Sequence, residues 1–76
     1  MSNADEIFEE LGYKKHTNNN QIGYYQYDNY NNMILILFTV DKKTVALRYD
    51  ECYAPAIDMQ ELQAINEKVK ELGWIN

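Results

Sequence analysis

The stretch MILILFTV, residues 33–40, decides how this chain is read. It is almost uninterrupted in apolar residues and rich in β-formers. As a strand it sends Met33, Leu35 and Leu37 to one side and Ile34, Ile36, Phe38 and Val40 to the other. Both sides are apolar, the pattern of a strand covered on two faces. On its C-terminal side Asp41-Lys42-Lys43 makes a tight connection. Residues 44–49 then alternate, with Val45, Leu47 and Tyr49 on one face. On its N-terminal side a polar loop, 28–32, contains Tyr30 and precedes an aromatic-rich strand over 22–27. Further upstream Asn18-Asn19-Asn20 is a turn, because asparagine tolerates left-handed backbone, and 14–17 is a weaker strand candidate. Short polar loops between successive strands predict an antiparallel meander of three or four strands.

Helices bracket that meander. Asn3 with Glu6, or Ser2 with Asp5, can cap a first helix whose apolar stripe is Ala4, Ile7, Phe8 and Leu11. Pro55 keeps 50–56 out of a sheet interior. Asp58 and Glu61 then have capping-box spacing, and Ile57 and Leu62 occupy the positions of a hydrophobic staple. Met59, Leu62, Ile65, Val69 and Leu72 follow at helical spacing, which predicts that they form the buried face. Glu61, Glu67, Lys68, Lys70 and Glu71 read as the solvated side. The near-identical EELGY (9–13) and KELGW (70–74) are one helix-ending device used twice. In each, glycine takes the left-handed stop, and the next aromatic residue reaches back, Tyr13 to Phe8 and Trp74 to Val69.

These elements predict a single α+β domain over 1–76. It has a short N-terminal helix, a three- or four-stranded antiparallel β-meander and a longer C-terminal helix packed on the sheet. Two helices on one sheet face would leave the other to a second copy of the chain, as in a homodimer. One helix on each face would cover both in a monomer. A chain of 76 residues buries only about 60% of its unfolded surface, so self-association would be a useful supplement.

Composition excludes several functions. The net charge of −5 opposes a nucleic-acid-backbone binder, which needs clustered Lys and Arg. Cys52 is the only cysteine, so no intrachain disulfide forms and a reducing compartment is expected. No apolar run reaches membrane-spanning length, and no basic-then-apolar leader opens the chain. A cytoplasmic protein is the expectation. A nucleophile built on Cys52 would need His16, with Asp28 or Asp50 orienting the ring. Those residues lie apart in the sequence, and the expectation is a protein without catalysis. No glycine-rich phosphate loop is present, and the cysteine and histidine count falls short of a zinc site. Asp50-Glu51-Cys52 with Asp58 lacks the spacing of a calcium loop, so neither metal nor other cofactor is expected.

The tyrosines are the remaining candidates. Tyr24, Tyr25, Tyr27, Tyr30, Tyr49 and Tyr53 lie on or beside strands and are a candidate protein interface. The same residues pack across strands in an ordinary sheet. The alternative is a nucleic-acid-associated regulator in which Lys14, Lys15 and the tyrosine-rich strand hold single-stranded bases.

IDMQELQAINEKVKELGWIN (57–76) and FEELGYKK (8–15) resemble a group of small uncharacterised proteins of Firmicutes and their prophages. Those pair an F-E-x-L-G-Y opening with an M-Q-E-L-Q-A-I-N-E-K-x-x-E-L-G-W ending. The resemblance implies a phage-type or bacterial cytoplasmic accessory protein and transfers no functional residue. Together with the acidic charge and thin catalytic inventory, it leads to the expectation of action by protein–protein interaction.

Overall fold

A computed structural model describes residues 2–50 and 55–75. Its elements are α1 (Asn3–Glu10), β1 (Lys14–Thr17), β2 (Gln21–Tyr27), β3 (Met33–Thr39), β4 (Thr44–Tyr49) and α2 (Met59–Glu71). The predicted α+β class, an antiparallel meander between a short and a longer helix, is the observed one, and the meander has four strands. The described residues fall into two compact units, the helices with 2–13 and 56–75, and the sheet with 14–50 and 55.

In the sheet unit each strand pairs antiparallel with the next, in the order β1-β2-β3-β4. Side chains in the turns make the hairpins. Asn18 Oδ1 accepts from the backbone N–H of Asn20 (3.2 Å) and of Gln21 (3.0 Å), closing the first turn. Asp28 Oδ1 accepts from the N–H of Tyr30 (2.8 Å) and Asn32 (2.9 Å), while Asn31 takes φ +66° in the second. Asn20 Nδ2 donates to Asp41 Oδ1 (2.7 Å) and Asn20 Oδ1 accepts from Asp41 N–H (3.1 Å), which joins the first and third turns. Strand β3 ends one residue before the predicted limit. Val40 lies beyond it in the turn, where its N–H donates to the Asn20 carbonyl at 2.9 Å.

The register divides the sheet into two unlike faces. Ile22, Tyr24, Ile34, Ile36, Phe38, Val45, Leu47 and Tyr49 share one. On it Tyr24, Ile36 and Phe38 are buried, with the Tyr24 and Phe38 rings edge to face at 5.8 Å. The opposite face carries Tyr25, Tyr27, Met33, Leu35 and Leu37, none of them fully buried.

In the helical unit Ser2 is the N-cap of α1, its Oγ accepting from Asp5 N–H at 3.0 Å. Asp58 and Glu61 close the capping box of α2 as predicted. Both helices end alike. Gly12 (φ +93°) and Gly73 (φ +74°) are left-handed. The next N–H bonds five residues back in each, Tyr13 to the Phe8 carbonyl (2.9 Å) and Trp74 to the Val69 carbonyl (3.1 Å). The Phe8 and Tyr13 rings meet edge to face at 5.6 Å.

The predicted faces of α2 need correction. Met59 is 71% exposed and Leu62 is exposed too, whereas Ala64, Ile65 and Lys68 are buried. Helices α1 and α2 pack together, and Lys68, read as solvated, meets α1 side chains. Its Nζ lies 3.5 Å from Asp5 Oδ1 and 3.6 Å from Glu71 Oε1. The cause is Lys68's long apolar stem, which packs while its ammonium keeps anionic partners. The Tyr13 hydroxyl donates to Glu61 Oε2 in the same unit. Among the described residues, no helix is long and apolar enough to cross a membrane.

Candidate binding face of the sheet

The face opposite Tyr24, Ile36 and Phe38 forms a groove of about 380 Å³, lined by residues of β1, β2 and β3 and the first turn. Its architecture follows from cross-strand rows. Lys14, Tyr25, Leu35 and Arg48 stand side by side across β1 to β4. The next row along the strands is His16, Gly23, Leu37 and Ala46. Tyr27 and Met33 pair on the other side of the first row. The second row has no side chain at Gly23 and only a methyl at Ala46, so the sheet surface dips beside Leu37.

Gly23 decides the depth of that dip. A methyl built there would meet Leu35 Cδ1 at 3.5 Å, Leu37 Cδ1 at 3.6 Å and the His16 carbonyl at 3.7 Å, all ordinary contacts. Thus the fold has room for a methyl group at this strand position, where glycine weakens a strand and packs nothing. Gly23 is part of the groove's lining.

The candidate tyrosines do not form one surface. Tyr25 and Tyr27 line the groove, Tyr27 at 55% exposed, with ring centroids 6.1 Å apart and planes at 76°. Tyr24 lies on the other face and is 1% exposed. Tyr49 shares that face, and its hydroxyl donates to Asp28 Oδ2 at 2.6 Å. This bond, with the Asn32 and Tyr30 N–H groups, holds the Asp28 carboxyl below the usual carboxylate range against a smaller opposing effect of burial. Tyr30 is 85% exposed at the tip of the second turn. Tyr53 lies outside the described residues.

The strand pleat also separates Lys14, cross-strand from Tyr25, and Lys15, cross-strand from Tyr24. His16 lines the groove, while Cys52 and Glu51 lie outside the described residues. Of the aspartates considered beside His16, Asp28 accepts from Tyr49, Tyr30 and Asn32, and Asp50 accepts from Met33 N–H at 3.0 Å. Among the described residues no group of three His, Cys, Asp or Glu side chains converges as metal ligands.

Reading residue types alone missed Gly23, Leu35, Leu37 and Met33 as site residues. The signal for them is the period-two alternation of β2 and β3, which acquires meaning only once their register brings Gly23 between His16 and Leu37. No protein-family model matches the chain, and no curated protein and no solved structure matches it either.

Proposed function

We propose that this chain is a non-catalytic, phage-type or bacterial cytoplasmic accessory protein that binds another protein on the grooved face of its sheet. The observation that carries this reading is the groove of about 380 Å³ walled by Tyr25, Tyr27, Met33, Leu35 and Leu37. Tyrosine and methionine are enriched where proteins meet, since they offer large contact area. The cellular setting rests on the resemblance of the two chain-end motifs to small Firmicutes and prophage proteins.

A protein fits this face better than single-stranded nucleic acid. Stacked bases need aromatic faces as platforms, and the Tyr25 and Tyr27 rings stand at 76° to each other, edge against face. Lys15, the second cation of the alternative reading, belongs to the opposite face.

The test is paired affinity capture from a Firmicutes lysate with the wild-type chain and Leu37→Glu, each checked by circular dichroism. Leu37 is half-buried on the groove wall, so a carboxylate there disturbs a docked partner. The expected result is a protein retained by the wild type and lost by a folded Leu37→Glu. Partners retained equally by both would refute the assignment to this face.

A further inference from the structure

The grooved face inverts the charge of the chain that bears it. Acidic residues outnumber basic ones 12 to 7 in the sequence. Yet among the described residues every position on this face of β1 to β4 is neutral or a potential cation. Lys14 and Arg48 end the row that contains Tyr25 and Leu35, and His16 begins the next. The described carboxylates of the sheet unit lie in its turns and at the end of β4, as Asp28, Asp41 and Asp50. The face therefore has an apolar floor between two basic margins.

Resting on the docking function proposed for this face, we propose that its partner is an acidic peptide segment of another protein. The segment seats one large apolar side chain over Gly23 and sets carboxylates against Lys14 and Arg48. Three observations converge on that chemistry. The groove that Gly23 helps line is walled by Tyr25, Tyr27, Met33, Leu35 and Leu37, which suits an apolar group, and no carboxylate lines it. The two cations stand three strand spacings apart, about 14 Å, which an extended segment covers in about four residues. Carboxylates on either side of a central apolar residue match that spacing. Finally, a symmetric face-to-face contact between two copies would bring the Lys14 and Arg48 margins together without an anion, a like-charge juxtaposition that suppresses pairing.

The absence of a side chain at Gly23 supplies a specific test. Gly23→Val adds a side chain to the groove floor, its Cβ in ordinary contact with Leu35 and Leu37, while improving strand propensity. Lys14→Glu with Arg48→Glu reverses the margins at exposed positions and leaves the floor intact. A displayed library of random peptides is selected on the full wild-type chain, and a representative binder is measured by fluorescence anisotropy across a salt series. The expected binders place Asp or Glu on both sides of Leu, Phe, Met or Trp. Their affinity should fall by about tenfold or more with the double charge reversal and likewise with Gly23→Val. Both variants are first shown folded by thermal melting.

Each other outcome overturns the inference in a distinct way. Binders without acidic enrichment, still lost with Gly23→Val, would refute the acidic partner and leave the docking reading standing. A dimer in light scattering that Gly23→Val dissociates would make a second copy the occupant. Oligothymidylate binding that weakens steeply with salt, with no peptide selected, would refute both readings in favour of nucleic acid. Failure of every probe would refute both as well.

Discussion

Residue by residue, the three glycines of this chain show how one residue type serves opposite ends. Gly12 and Gly73 hold φ values of +93° and +74° that other residues adopt only at a cost. Around a Cβ built on Gly73 nothing lies within 4 Å, so a substitution there meets no clash and reports backbone strain alone. Gly73→Val should therefore destabilise the fold by about 1–2 kcal/mol, the cost of a left-handed β-branched residue. In a domain of this size that lowers Tm by about 4–8 °C per kcal/mol, measurable by thermal denaturation. An unchanged Tm would show that the helix does not end through a left-handed residue at position 73. Gly23 is the contrasting case, since its neighbours leave room for a methyl group and its φ is not left-handed. Its value lies in the space above it.

Among the elements, legibility in the sequence follows whether an element's own residues or its neighbours hold it in place. Strands β2, β3 and β4 were readable because alternating or continuous apolar residues end at polar turns. Strand β1 is KKHT, exposed at all four positions, and its pairing partners Ile22 to Tyr25 on β2 define it. The caps of α2 are local and were readable. Its buried side was not, because Lys68 is covered through α1, whose Asp5 lies 63 positions earlier (68 minus 5). The same distance in sequence hid the role of Glu71, whose Oε1 accepts from Ser2 Oγ at 2.6 Å and whose Oε2 accepts from Ala4 N–H at 2.9 Å. Burial alone would raise the Glu71 pKa, but these donors and the Lys68 ammonium together outweigh it and lower the value. A carboxyl lowered on folding contributes stability above its unfolded pKa and loses it as pH falls through the folded one. Glu71→Gln should accordingly cost about 1 kcal/mol at neutral pH. Urea unfolding should show that gap closing as pH falls below the ordinary glutamate value, 4.5, and through the lowered folded one. A gap constant across that range would remove the charge from the explanation.

For the whole molecule, the two units differ in the chain separation they must close. The sheet unit is a meander whose neighbouring strands are joined by turns of three to five residues, 18–20, 28–32 and 40–43. The helical unit joins α1 and α2 across the entire sheet sequence, through bonds between residues 69 and 67 positions apart at Ser2–Glu71 and Ala4–Glu71. Closing a chain segment costs entropy that grows with its length, and contacts between distant residues repay it late. The meander should thus be formed in the folding transition state and the α1–α2 pairing completed after it. Two chemically matched deletions separate the alternatives. Ile36→Val removes a methylene from the buried side of β3, and Ile65→Val removes one from the buried side of α2. Each should destabilise the protein by about 0.5–1.5 kcal/mol. In stopped-flow chevrons Ile36→Val should slow folding, whereas Ile65→Val should leave folding nearly unchanged and speed unfolding. The reverse assignment would place helix pairing in the nucleus, with α1 and α2 meeting before the strands between them have shortened the chain.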